Sequence, residues 1–321
     1  MSPERVTFYD EHPFDWASPD NAAEITSTVL RPLAHLIDTL DSNSLIFDIG
    51  CGPGRVLGLL AQRGLRCIGI DRSRVSLGLA RNRYGRPGAV ADNLQLPLPD
   101  AVADVIISDG VIHHTADPHA AFAENMRVLK PGGRMYLAVY KPFGRYPFLY
   151  KYPGWMIRVG LQHSWSRPLV KIFALGPYFL VHFVRSKGKR TWAAARNLFY
   201  DYFVTPCVNF LPRQLIEDWC AKTGAQILRY NENRGANVHS FVLQKGPVAT
   251  TSGEIGAVPD SSNTRKTAGV IEERRSVRSM HTSGPIDCLR IRSGTFAAVS
   301  AFGTLNAQGD VILGAIISEA V

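Results

Sequence analysis

Three glycines in five positions, Gly50, Gly52 and Gly54, follow the short apolar run LIFDI (45–49) and precede a helix-like apolar pattern. A strand feeding a glycine-rich turn and a helix brings backbone N–H groups close to a nucleotide-like ligand. Dinucleotides and S-adenosylmethionine (SAM) both use such a cradle. A dinucleotide fingerprint needs GxGxxG, but Arg55 stands in the third place and the spacing is GxGxG. Asp71 follows about 20 residues on, at the end of the next strand, where a carboxylate can accept from both ribose hydroxyls. Asp92 and Asn93 close the third strand and suit an adenine edge. There the carboxylate accepts from the amino group while a backbone N–H donates to a ring nitrogen. Each acid also has a plainer structural reading: Asp48 and Asp71 as helix caps, Asp92 as a turn residue.

A second group of residues can do proton chemistry. SDGVIHHTADP follows the fourth strand and sets His113 and His114 at its carboxyl end, and imidazole titrates near neutral pH. One of the two is also readable as a ring packed inward beneath the next helix, with Thr115 as cap. Asp201, in LFYDYFVTP, is the first carboxylate after a stretch from Asn125 to Tyr200 that has no Asp or Glu. It can position an acceptor, or sit on a solvated helix face. His12, in YDEHPFDW, precedes the first helix and is a candidate lid residue.

The elements that must hold these residues alternate. A helix is read over 19–40, then strands at 45–49, 66–71, 88–92, 104–108 and 133–140, with helices at 55–62, 73–83 and 117–129 between them. Apolar strands separated by helices imply an α/β fold with a parallel sheet covered on both faces. Pro212 opens a further helix ending at Gly224, and AQILRYNEN and ANVHSFVLQK form a closing antiparallel pair with Gly235 in the turn.

In order along the chain, FDIGCGPGR, GID at Asp71, AD at Asp92, DVIISDGVIHHTADP and LKPGG resemble the class I SAM-dependent methyltransferases. The likeness is to the type 11 subgroup, with its quinone-biosynthesis and small-molecule enzymes, and it covers roughly residues 44–140 and more weakly 210–244. It implies a Rossmann-like sheet of seven strands, one antiparallel, with SAM across the carboxyl ends of the first four. By position, Gly50, Gly52 and Gly54 would face the methionine and ribose, Asp71 the ribose hydroxyls, and Asp92 and Asn93 the adenine. Asp48 would support the loop, and Asp109 completes the cofactor set. The subgroup often has histidine at the place of His114, the first candidate base or acceptor-orienting group, with His113 and Asp201 beside it. Asp109-Gly110-Val111 lacks the Asn/Asp-Pro-Pro-aromatic motif usual in DNA amino-methyltransferases.

The chain has 321 residues, 45% hydrophobic and 20% charged, with a net charge of +9. These values fit a globular protein of about two domains. No secretory signal is read in residues 1–14, which carry Glu4, Asp10 and Glu11, and the five cysteines form no CxxC pair. Free thiols in the cytoplasm and no metal site are therefore expected. The divisions are an N-terminal segment and helix (1–43, a lid candidate), a SAM-binding domain (44–246) with an inserted acceptor cap (141–210), and a flexible linker-like tail (247–321). Within 141–200 lie eleven Lys/Arg and fourteen aromatics. The apolar run 168–184 is expected to be interrupted by Lys171, Gly176-Pro177 and His182, and so not to cross a bilayer. The block reads as a lid over a hydrophobic acceptor with peripheral membrane contact, as a nucleic-acid face, or as a self-packed cap. The expected function is O- or C-methylation of a small or lipid-like acceptor in biosynthesis. The alternatives are an RNA methyltransferase using this basic cap and a non-catalytic SAM-binding scaffold. Oligomeric state has no signal in the sequence.

Overall fold

Strands as apolar as LIF and VII have no face to offer water, so they must run mid-sheet between helices. The computed structural model, which describes residues 8–14, 30–188 and 191–247, places them there. In chain order come α1 (Arg31–Ile37), β1 (Leu45–Ile49), α2 (Arg55–Gln62), β2 (Arg66–Asp71), α3 (Arg74–Tyr84), β3 (Gly88–Val90) and β4 (Ala103–Asp109). A 3₁₀ turn (Ile112–His114), α4 (Pro118–Val128) and β5 (Leu129–Tyr140) follow. The cap comprises α5 (Arg145–Lys151), α6 (Pro153–Gln162), α7 (Arg167–Arg185) and α8 (Trp192–Phe199). The domain closes with α9 (Arg213–Thr223), β6 (Gln226–Asn231) and β7 (Val238–Gln244).

The sheet has seven strands in the order β3-β2-β1-β4-β5-β7-β6, and β7 runs antiparallel to both its neighbours. Alternation along β1 divides the core. Phe47 and Ile49 join Phe122 and Trp219 on one side, while Ile46 joins Leu33, Leu57 and Leu60 on the other. The expected α/β architecture, with one antiparallel strand, is the one observed. β5 starts earlier than expected because the Lys-Pro-Gly-Gly stretch pairs: Gly132 N–H donates to Lys245 O (2.9 Å) and Lys245 N–H to Gly133 O (3.0 Å).

Two expectations are corrected. Gly176-Pro177 does not interrupt the apolar run; α7 continues through it for 19 residues. Lys171–Leu175 form a π turn in which Gly176 N–H donates to Lys171 O. That wider turn accommodates Pro177, which lacks an N–H and would clash with a regular preceding turn. The helix expected over 19–40 is also corrected: Leu30 is extended and caps a helix confined to Arg31–Ile37. Residues 15–29, Lys189, Arg190, the tail after residue 247 and its Cys288 lie outside the described residues.

Gly50 and Gly54 show why the loop needs glycine. Gly50 has φ +73°, and a Cβ there would fall 2.4 Å from the Val111 methyl groups. Gly54, the N-cap of α2, has φ +90°, and its Cβ would fall 2.8 Å from that of Ala80 on α3. Gly50→Ala should therefore destabilise the fold by about 2–4 kcal/mol, combining left-handed strain with overpacking. Gly52→Ala should lose only about 1 kcal/mol, because nothing lies within 4 Å of its Cβ position. Urea denaturation midpoints of the two variants check the difference.

Candidate active site

The floor of the site is made by the turns at the carboxyl ends of β1, β2 and β4. Asp71 Oδ2 accepts from Gly52 N–H and its Oδ1 from Ser73 N–H, both at 2.8 Å. Burial pushes the Asp71 carboxyl upward, and these backbone donors pull it back. The capping role and the ligand role are compatible, since each oxygen keeps a second lone pair. Asp109 closes the loop from the other side by pairing with Arg55 at 2.5 Å. Arg55 is the residue standing where a dinucleotide site has its last glycine. Asp48 is buried; its Oδ2 has no hydrogen-bond partner among the described residues, and burial holds its carboxyl well above the usual range.

Asp92 makes the turn the plainer reading expected: Leu94 N–H donates to its Oδ1 at 3.1 Å and Gln95 N–H to its carbonyl at 3.0 Å. Asn93 is different. It is buried, and both its amide nitrogen and its amide oxygen lack partners among the described residues. A buried amide left without partners costs about 1–3 kcal/mol, so its presence beside a cavity points to a polar ligand that satisfies it.

That cavity, of about 1000 Å³, is lined by Gly50, Gly52, Asp71, Asp92, Asn93 and Asp109 on the floor. The upper wall brings in His114, Tyr140 and Asp201. His114 Nδ1 lies 2.8 Å from Cys207 O. A carbonyl only accepts, so Nδ1 carries the hydrogen and Nε2 is the basic nitrogen. Burial pulls the His114 imidazole down to about 4, partly offset by that hydrogen bond. Tyr140 donates its hydroxyl to the two Asp201 oxygens at 3.3 and 3.4 Å. Burial pushes the Asp201 carboxyl up to about 7, and the Tyr140 bond opposes the shift.

Asp201 sits in a π turn (Tyr200–Val204) whose backbone is tied down by Thr205 N–H to Tyr200 O (2.9 Å) and Thr205 Oγ1–H to Asp201 O (2.9 Å). It is no solvated helix residue. His113 borders the cavity too, but it is the histidine that packs inward. It is fully buried, its ring centroid is 3.9 Å from that of Tyr140, and burial drives its imidazole well down. Its part is to support Tyr140 and His114.

The lid candidate His12 lies 4.1 Å, ring to ring, from Tyr200, and Tyr9, His12 and Phe14 all line the cavity. Their segment is anchored where Ser73 Oγ–H donates to Asp10 Oδ1 at 2.6 Å, at the N-cap of α3. Sequence reasoning missed Tyr140, Cys207 and Asn209; Asn209 Nδ2–H donates to the His113 and Thr115 carbonyls. Only Tyr140 carried a signal, being the last residue of a strand whose carboxyl end faces the site.

Residues 47–137 match the family described as Methyltransferase domain. This is a class I methyltransferase domain. The cofactor of that class is SAM, and the residues present fit it: a glycine loop open at Gly52, a carboxylate at Asp71, and the unsatisfied amide of Asn93. The chain is 39% identical over 106 residues to a probable S-adenosylmethionine-dependent methyltransferase of Mycolicibacterium smegmatis, covering 33% of this chain and 40% of that one. It is 38% identical over 136 residues to an uncharacterized 37.1 kDa protein in transposon TN4556 of Streptomyces fradiae, covering 38% of this chain and 39% of that one. It is also 35% identical over 125 residues to a tRNA (carboxymethyluridine(34)-5-O)-methyltransferase of Macaca fascicularis, covering 37% of this chain and 18% of that one. The chain thus spans well under half the length of these relatives.

Asn93→Ala should weaken SAM and S-adenosylhomocysteine binding about tenfold, as for a lost hydrogen-bonding amide. The ligand-free protein should melt no lower, because an unsatisfied buried group is removed. Asp71→Ala should weaken binding by about 1.5–3 kcal/mol and also lower the melting temperature, because its oxygens hold two turns together. Calorimetric titration alongside thermal melts separates the two behaviours.

Proposed function

We propose that the protein methylates a small or lipid-like hydrophobic acceptor at an oxygen or an activated carbon. The observation that carries this is the meeting, on one cavity, of the cofactor floor with a neutral histidine and a carboxyl poised near neutrality. SAM, when bound, supplies an electrophilic methyl group already activated by its sulfonium. The chain's own work is then to align the acceptor and remove its proton. His114 Nε2 takes the proton of the acceptor hydroxyl or enol. Its low affinity for protons lets the imidazolium release it to solvent after each turnover. Asp201, as carboxylate, accepts a hydrogen bond that orients the acceptor. The aromatic wall of Tyr140 and Tyr202, backed by buried Tyr146, suits an apolar or ring-bearing substrate.

A second reading is methylation of RNA, favoured by the tRNA methyltransferase among the relatives and by the acid-free basic cap. The match covers 37% of this chain and 18% of that relative. Incubation with methyl-labelled SAM and parallel panels of lipid, quinone and phenol extracts and of total tRNA tests both. Label in the organic phase supports the proposal, and label confined to tRNA sinks it.

Asp201 also gives a pH signature. Its carboxyl in the fold keeps a proton that the unfolded chain has already lost, so stability falls as pH rises from the ordinary carboxylate range to about 7. Asp201→Asn should thus melt higher than wild type at pH 8, with the gap narrowing as pH falls through about 7 and closing only near the ordinary carboxylate range. Activity should go the other way. Wild-type kcat/KM rises through pH about 7, while the variant loses that inflection and about 10²-fold in rate.

A further inference from the structure

We infer that α7 lies in the headgroup layer of an anionic lipid bilayer, in the plane of the membrane, with one apolar face in the lipid and the other on the protein. This goes beyond the methylation reading and can be measured without turnover.

Among the described residues, every large hydrophobic side chain left exposed, apart from Val75, Val90 and Leu228, lies between Phe143 and Trp192. Seven of them are on α7, Val181 and Phe183 included, and most follow one line. Leu169, Ile172, Phe173, Leu180 and Val184 fall at i, i+3, i+4, i+11 and i+15, one stripe along the helix, and Phe173 is 74% exposed. The opposite side is occupied. Leu175 is buried with Phe199 and Phe203, and the Tyr178 ring packs edge-on against both phenylalanines at 5.5 and 5.8 Å. A helix apolar all round needs cover all round. The protein covers only the inner face.

Charge decides what covers the outer one. Arg167, Lys171, Arg185 and Lys187 flank the stripe, and no acidic residue occurs from Asn125 to Tyr200. A two-fold contact with a second copy would set this basic region against itself. A polyanion such as RNA would satisfy the charges but leave Leu169, Ile172, Leu180 and Val184 in water, since its affinity comes from phosphates and stacked bases. An anionic bilayer satisfies both sets, and exposed Trp155, Trp165 and Trp192 on the same cap are residues that favour the headgroup level. By length and composition α7 could cross a bilayer, but crossing would strip Leu175 and Tyr178 from the cap core. Lying flat keeps it.

The test uses the full chain with phosphatidylcholine vesicles, with and without phosphatidylglycerol. Wild type should co-sediment with the anionic vesicles, and its tryptophan fluorescence should be quenched by brominated lipid. Ile172→Gln/Phe173→Gln/Leu180→Gln/Val184→Gln should cut partitioning about tenfold or more while SAM affinity and melting temperature stay at wild-type values. Lys171→Gln/Arg185→Gln/Lys187→Gln should weaken binding to anionic vesicles by about fivefold per charge, the equivalent of about 1 kcal/mol each. The inference is overturned by wild type that ignores both vesicles, or by partitioning that the glutamine stripe leaves unchanged. It is equally overturned by a stable dimer that the stripe variant dissociates, by poly(U) binding without vesicle binding, or by resistance to carbonate extraction, which would mean that α7 crosses.

Discussion

The turns after β1 and β2 meet at a single carboxylate: Asp71 holds the Gly52 amide with one oxygen and the Ser73 amide with the other. Burying that charge is unfavourable unless donors surround it, so the two turns are held at fixed distance by the electrostatics of one side chain. Other features follow from this. Gly52 must turn its N–H to Asp71, which places it in left-handed backbone that favours glycine. Ser73, positioned by Asp71, caps α3 through Ser76 N–H and also receives Asp10 from the N-terminal segment. The same carboxylate therefore shapes the cofactor cradle and indirectly seats the cover over it. The Arg55–Asp109 pair repeats the device on the β4 side.

The proton-handling corner is built on another principle, convergence from distant sequence. His114 comes from the turn after β4, Tyr140 from the end of β5, and Asp201 from the cap, 61 residues further along. None is strained into place. Cys207 O fixes the His114 tautomer, His113 backs Tyr140, and Thr205 and Tyr146 hold the Asp201 backbone. Water exclusion does the rest: it keeps the imidazole neutral and raises the carboxyl toward neutrality, where it exchanges protons more readily than in solution.

Much of the fold was legible because burial on two faces leaves continuous apolar runs. LIFDI and RCIGID matched their strands residue for residue, and RVLGLLAQ its helix. Glycine and acid spacing likewise carried the cofactor floor. The chemistry of the upper wall was legible only as residue types. Nothing in HH tells which ring faces inward; that depends on Tyr140 and Asn209, which reach them through tertiary packing. Tyr140 itself reads as one more apolar strand residue. Pro177 misled for a local reason: proline ends a regular helix, and the π turn that accommodates it involves one extra residue per turn, which no apolar periodicity reveals.

The two π turns of the cap, Lys171–Leu175 and Tyr200–Val204, share one small core. Leu175 from the first packs with Phe203 from the second, and Tyr178 spans the gap to Phe199. The inner face of α7 and the turn that carries Asp201 thus pack on the same core. Interiors packed at crystal-like density transmit displacement rather than absorb it. A force that reorients α7 from outside must either be borne by Leu175 and Tyr178 or reach the turn that aims Asp201 at Tyr140. The insertion that carries the exposed apolar stripe is also the one that supplies the carboxyl. In this fold, the exposed apolar stripe and the carboxyl at the cavity are therefore carried by one packed element.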